Sequence, residues 1–209
     1  MNPKNLWRWA YWAALITIFY NILEGVISVS FGYSDETLSL FGFGLDSFVE
    51  VISGLGVFHM IIKTNRNQEN RDLFEKTALR ITGTSFYLLT AGLIITAILN
   101  IVNKSQPSTT FWGIVISIVS IFTMSLLVRF KMNIGKKLNS DSLISDANCT
   151  KTCIYLSVVL LVASILFEVF KIGYIDSIGA LGIAYYAFKE GKEAFEKASG
   201  ESCECCRNK

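Results

Sequence analysis

The sequence predicts an all-α, polytopic membrane protein with six transmembrane helices and both termini in the cytoplasm. Three observations carry that expectation. The 209 residues are 52% hydrophobic, with a mean hydropathy of +0.45, well above soluble averages. Six apolar segments approach the roughly 20 residues that a bilayer core demands of a helix. Basic residues cluster in alternate connections, which fixes an orientation.

The predicted spans are Leu6–Gly32, Thr37–Ile62, Ala78–Val102, Thr110–Phe130, Leu143–Phe170 and Tyr174–Phe188. The fourth, FWGIVISIVSIFTMSLLVRF, is plain. The sixth is short and runs into FKEGKEAFEK, so its helix is expected to continue into water. The connections are GYSDE, KTNRNQENRDLFEK, NKSQPS, KMNIGKKLNSD and KIG. Lys4 and Arg8 precede the first span. Lys63, Arg66, Arg71 and Lys76 follow the second, and Arg129, Lys131, Lys136 and Lys137 follow the fourth. Lys189, Lys192 and Lys197 follow the sixth. The other connections hold only Asp35 and Glu36, Lys104, and Lys171. The positive-inside rule then places both ends in the cytoplasm, in keeping with an even number of spans.

The first span is too long for a cleaved signal peptide, Glu24 interrupts it, and no small-residue cleavage site follows. Residues 1–198 form one six-helix membrane domain in this reading, and 199–209, within GESCECCRNK, a short cysteine-containing cytoplasmic tail. The formal net charge of +2 argues against a nucleic-acid partner. A single histidine cannot assemble a Ser/His/Asp triad, and the glycines lack the lysine of a phosphate loop, so no enzyme is expected.

The stretch FGFGLDSFVE places Asp46 and Glu50 four residues apart in an apolar span. That spacing sets both on one helix face, a turn apart. Counted from Thr37, Asp46 lies about 13 Å and Glu50 about 20 Å inside the outer surface. Acids at that depth are costly and mark ion paths or partner contacts. In SDANCTKTCIYL, Cys149 and Cys153 repeat the spacing on an antiparallel span. Two carboxylates and two thiolates make a four-ligand tetrahedral set that suits Zn²⁺, with sulfur extending it to Cd²⁺. Mg²⁺ and Mn²⁺ are expected to be poor substrates of such a set.

The order Asn21, Gly32, Ser39-Leu40 and FGFGLDSFVEVIS resembles the second-helix region of cation diffusion facilitators. GKKLNSDSLISDANCTKTCIYLSVVLL is similar to that family's fifth helix and GYIDSIGALGIAYYAFKEGKEAF to its sixth, so the resemblance runs from about Leu6 to Lys197. It implies an exporter of divalent metals that exchanges them for protons, sits in the cell membrane as a multi-pass homodimer and carries no tightly bound cofactor. Carried over by position, Asp46 and Glu50 match the family's second-helix metal pair, and Cys149 and Cys153 the fifth-helix pair. The chain departs where Glu50 replaces the usual Asp and two cysteines replace His and Asp. No His-rich loop precedes the fifth span, and the resemblance is to a branch lacking the C-terminal cytoplasmic domain.

Two other functions fit the residues. One is a non-transporting membrane metal-binding or delivery protein whose CECC tail does the binding. The other is a proton-coupled exporter of small organic cations, with the thiols as packing. Among the remaining polar residues, Glu24 and Glu168 line a release path or relay protons, or Glu168 is simply solvated. Asp146 orients a ligand or is a hydrated charge. His59 is an interfacial side chain or a ligand on the approach. Lys151 points about 200° away from both cysteines and is expected to snorkel to the interface.

Overall fold

The computed structural model of the protein describes residues 3–64, 71–104, 106–138 and 141–199, some of them, Cys149 and Asp146 included, by backbone alone. Six helices make up the described residues: α1 (Pro3–Ser34), α2 (Leu38–Thr64), α3 (Arg71–Asn103), α4 (Phe111–Leu138), α5 (Asp141–Phe170) and α6 (Tyr174–Ser199). Five of them contain windows long and apolar enough to cross a bilayer. The sixth, α6, is the shortest at 26 residues, and its charged second half continues the helix as expected.

The polarity of the bundle is inverted relative to a water-soluble domain. Phe19, Leu88, Val102 and Phe122 are each at least 67% exposed, whereas Asn21, Ser28, Asp46, Ser120 and Ser157 are each at most 2% exposed. Lipid accepts the apolar outer faces at no cost. Polar side chains gain only by turning inward to partners.

Helices α1, α2, α5 and α4 close a ring in which each packs on the next, and α3 and α6 form a pair laid against α2 and α5. The ring is tight because small residues face each other. A methyl group on Gly44 of α2 would sit 2.7 Å from the backbone nitrogen of Val29 on α1, so the two backbones are in direct contact.

The connections α1–α2, α3–α4 and α5–α6 gather at one end of the bundle, the loop end. There Ser108 N donates to Asp35 O at 3.0 Å and Thr37 Oγ1 to Thr109 O at 2.9 Å. Two acids cap neighbouring helices. Asp176 at the start of α6 accepts from Leu38 N at 2.7 Å, from Ser39 N at 3.1 Å and from Ser39 Oγ, tying down the first turn of α2. Glu168 at the end of α5 accepts from Thr110 N at 2.7 Å and Thr109 Oγ1 at 2.8 Å, and pairs with Lys171. Each carboxylate satisfies amide donors that a helix start leaves without an intrahelical partner. Glu168 is therefore the cap of α4, a role that neither a release path nor plain solvation anticipates.

At the opposite, terminal end, Trp7, Ala10 and Tyr11 of α1 meet Phe58 of α2 and Ile134 and Leu138 of α4. Here the helices outrun the predicted spans. The segment KMNIGKKL continues α4 and is not a connection, and α3 begins at Arg71. Hydropathy marks where lipid ends, and a helix does not stop there. Lys131 is consequently no loop charge: it is 4% exposed, and its Nζ donates to Thr150 Oγ1 on α5 at 3.1 Å.

Replacing Asp176 by Ala should strip three donors at the head of α2 of their acceptor. Unmet buried donors cost about 1–3 kcal/mol each, so the melting temperature in detergent should fall clearly. Asp176→Asn, which keeps an acceptor oxygen, should fall less; equal melting of both variants and the parent would refute the capping role.

Candidate metal centre

The centre lies where α2 and α5 touch across the ring. Asp46 and Glu50 share one face of α2, as their spacing predicts. Asp46 is 2% exposed and Glu50 half-buried. Cys153 of α5 is 3% exposed, and its Sγ donates to Glu50 Oε1. The expected acid–thiol meeting of the two spans is thus realised by one pair. The side chains of Cys149 and Asp146, and the tail with Cys203, Cys205 and Cys206, lie outside the described residues.

Glu50 has a second partner. Asn21 of α1 donates from Nδ2 to Glu50 Oε2 at 3.0 Å. With its nitrogen so committed, Asn21 leaves Oδ1 buried with no hydrogen-bond partner, and Asp46 Oδ1 is in the same condition. Buried polar atoms are nearly always paired, so two orphaned oxygens on one cavity mark a place that receives a donor or a cation.

That cavity has a volume of about 50 Å³. Its polar lining includes Asn21, Asp46, Glu50, Thr82, Cys153 and Glu190, drawn from five helices. An apolar cluster that includes Phe43, Leu89, Leu93, Leu156 and Leu160 packs towards the loop end. Among the described residues, no three His, Cys, Asp or Glu side chains are gathered closely enough to hold a metal ion. The donors line the cavity without converging on one point.

A second polar cluster lies one to two turns towards the loop end. Glu24 of α1 accepts from Tyr20 OH at 3.0 Å and from Ser47 Oγ of α2 at 3.2 Å, and it hydrogen-bonds Ser120 of α4. Ser157 Oγ of α5 donates to Ser120 Oγ at 2.9 Å. Glu24 thus joins the ring helices through a satisfied network. Lys151 is exposed, as snorkelling requires, and His59 is exposed near the end of α2.

Two cavity residues were not assigned to the centre from sequence. Asn21 contributes to the family resemblance, but its neutral side chain carries no ligand signature. Glu190 belongs to the charged run expected in water. Its signal was the stripe of small or apolar residues Ile183, Ala187, Ala194 and Ala198, all at most 7% exposed, which passes through position 190 at helical spacing.

Comparison with known proteins agrees with this architecture. The family described as Cation efflux transmembrane domain matches residues 10–200. An uncharacterized transporter of Methanocaldococcus jannaschii is 28% identical over 175 residues, which is 81% of this chain and 62% of that protein. Manganese efflux system protein MneP of Bacillus subtilis is 24% identical over 191 residues, 86% of this chain and 64% of its own. Transmembrane protein 163 of Xenopus laevis is 26% identical over 183 residues, 87% and 64% respectively. The chain therefore spans less than two thirds of the length of these relatives.

If the cavity receives a cation, Asp46→Ala and Cys153→Ala should each lower divalent-metal affinity of the purified protein, by about tenfold or more, with helicity unchanged. Isothermal titration checks this, and parental affinity in Asp46→Ala would remove Asp46 from the centre.

Proposed function

The chain belongs to the cation efflux family, and on that premise we propose that it is a secondary transporter that exports a divalent metal cation through the cavity between α2 and α5. The observation that carries this reading is the pair of buried, unpartnered oxygens of Asp46 and Asn21, set beside the Glu50–Cys153 contact. Asp46, Glu50, Cys149 and Cys153 are the proposed ligands. The thiol and carboxylate donors suit Zn²⁺ or Cd²⁺.

Manganese is the second reading. MneP is named for manganese efflux, and the cavity lining is richer in oxygen than the spacing of acids and cysteines indicates. That weighs against dismissing Mn²⁺ on the cysteines alone.

Protons are the proposed counter-ion. Carboxylic acid and thiol groups must be deprotonated to bind a metal, so binding releases protons on one side and release takes them up on the other. The cavity walls come from α1, α2 and α5 of the ring and from the α3–α6 pair. Movement of the pair against the ring would change the cavity's access, as alternating access requires. The terminal end is proposed to face the cytoplasm, because Arg8, Arg129, Lys136 and Lys137 lie exposed there. A homodimer in the cell membrane follows from the family alone. A delivery protein working through its tail leaves the orphaned oxygens at the cavity unexplained, and an exporter of organic cations would use those oxygens but not the thiol of Cys153 beside them.

Metal uptake into proteoliposomes of defined internal pH tests this. Flux of Zn²⁺, Cd²⁺ or Mn²⁺ should rise severalfold when the receiving side is acid and fall when the gradient is reversed. Flux indifferent to a gradient of either sign would exclude proton exchange, and absence of flux for all three ions would exclude metal export.

A further inference from the structure

Glu190 brings a carboxylate to the cavity from α6, a helix that contributes neither of the paired motifs. It is half-buried, and it accepts a hydrogen bond from Thr152 Oγ1 of α5 at 2.7 Å. That bond comes from the residue immediately before Cys153 and ties the carboxylate to the thiol-bearing turn. Across the cavity stand Asn21 and Asp46, each 2% exposed and each with an unpartnered Oδ1. Among the described residues, the cavity is therefore lined by Asn21 of α1, two carboxylic residues of α2, Glu190 of α6 and Cys153 of α5.

Such a lining is richer in oxygen than two acids and two thiols alone. Carboxylate and carbonyl oxygens suit harder ions of higher coordination number, whereas thiolates select softer, four-coordinate ones. We infer that Glu190 and Asn21 Oδ1 are additional oxygen ligands of the transported ion, and that they extend its range to a hard, oxygen-preferring divalent cation such as Mn²⁺. The inference rests on the metal-site reading of the cavity. The donors do not converge on one point among the described residues, so an ion bound by Glu190 would draw α6 towards α2. The acid on the mobile pair would then report occupancy of the ring.

The test uses the full-length chain in detergent with Cys203→Ser, Cys205→Ser and Cys206→Ser, so that tail thiols do not compete for Cd²⁺. Mn²⁺ binding is read by electron paramagnetic resonance and Cd²⁺ binding by isothermal titration. Glu190→Gln keeps an oxygen for Thr152 and removes only the charge. It should weaken Mn²⁺ by about tenfold and Cd²⁺ by less than about threefold, because exchanging a carboxylate for a neutral amide oxygen matters less where sulfur holds the ion. Retained Cd²⁺ binding also shows that the variant is folded. Equal weakening of both ions, or of neither, would overturn the inference. Asp46→Ala in the same background should weaken both ions. If it does while Glu190→Gln changes nothing, only the role of Glu190 falls. If Asp46→Ala binds both ions like the parent, the metal-site reading itself fails and takes this inference with it.

Discussion

A carboxylate held between helices that lipid surrounds must be met by donors from those helices, because no solvent shell is at hand to meet it. The structure follows from how its buried acids meet that constraint. Asp176 and Glu168 are met by amide and hydroxyl groups at the heads of α2 and α4, and so pin the loop end. Glu24 is met by hydroxyls of Tyr20, Ser47 and Ser120, and so joins α1, α2 and α4. Glu50 is met by Asn21 and Cys153, and so joins α1, α2 and α5. Only Asp46, of these five, keeps a buried oxygen unmet. Asp35, Ser28 and Ser164 also keep a buried oxygen unmet, but Asp46 and Asn21 line one cavity, where a cation would supply what the protein does not.

The apolar residues frame the cavity from both sides. From the cavity to the loop end the interior is filled by Phe43, Leu93, Leu156, Leu160 and their neighbours. The lining itself includes Thr17, Gly54, Thr82 and Thr150, small or hydroxylated residues that leave room and offer dipoles, beside Leu79 and Phe86. Bulky residues return at the terminal end, where Trp7, Tyr11, Phe58 and Leu138 pack together.

Much of this was legible in the residues. The six helices, their order and their inward acids came from apolar length and from the i,i+4 pairs, because a bilayer imposes a length and a helix imposes a face. The meeting of α2 with α5 was legible as two pairs of ligating residues on antiparallel spans. Helix ends were not, since KMNIGKKL reads as a cytoplasmic connection by charge yet continues α4 and buries Lys131. Charge reports a residue's usual solvent and says little about the helix face on which it falls. Glu168 and Asp176 could not be recognised as caps, because each serves a helix distant in sequence: Asp176 lies 137 positions from Ser39. The role of Glu190 was hidden for the converse reason, in that its neighbours Lys189, Lys192 and Glu193 advertise a solvated face.

Asn21 shows how the surroundings of a neutral side chain decide which of its atoms is left for an ion. An amide has one end that donates and one that accepts, and its environment decides which end faces where. Glu50 and Asp46 both present acceptors to this part of the bundle. Hydrogen bonding to Glu50 therefore requires the amide nitrogen, and that choice leaves the carbonyl oxygen buried without a hydrogen-bond partner. In the proposed centre Glu50 would thus act twice: as a donor atom for an ion, and as the group that orients the amide of Asn21. Cys153 enters the same arrangement from the other side, since its thiol gives its proton to Glu50 in a hydrogen bond and must release it before sulfur can bind a metal. A single carboxylate consequently couples the α1 oxygen and the α5 sulfur, and substitution at Glu50 disturbs all three helices of the centre at once.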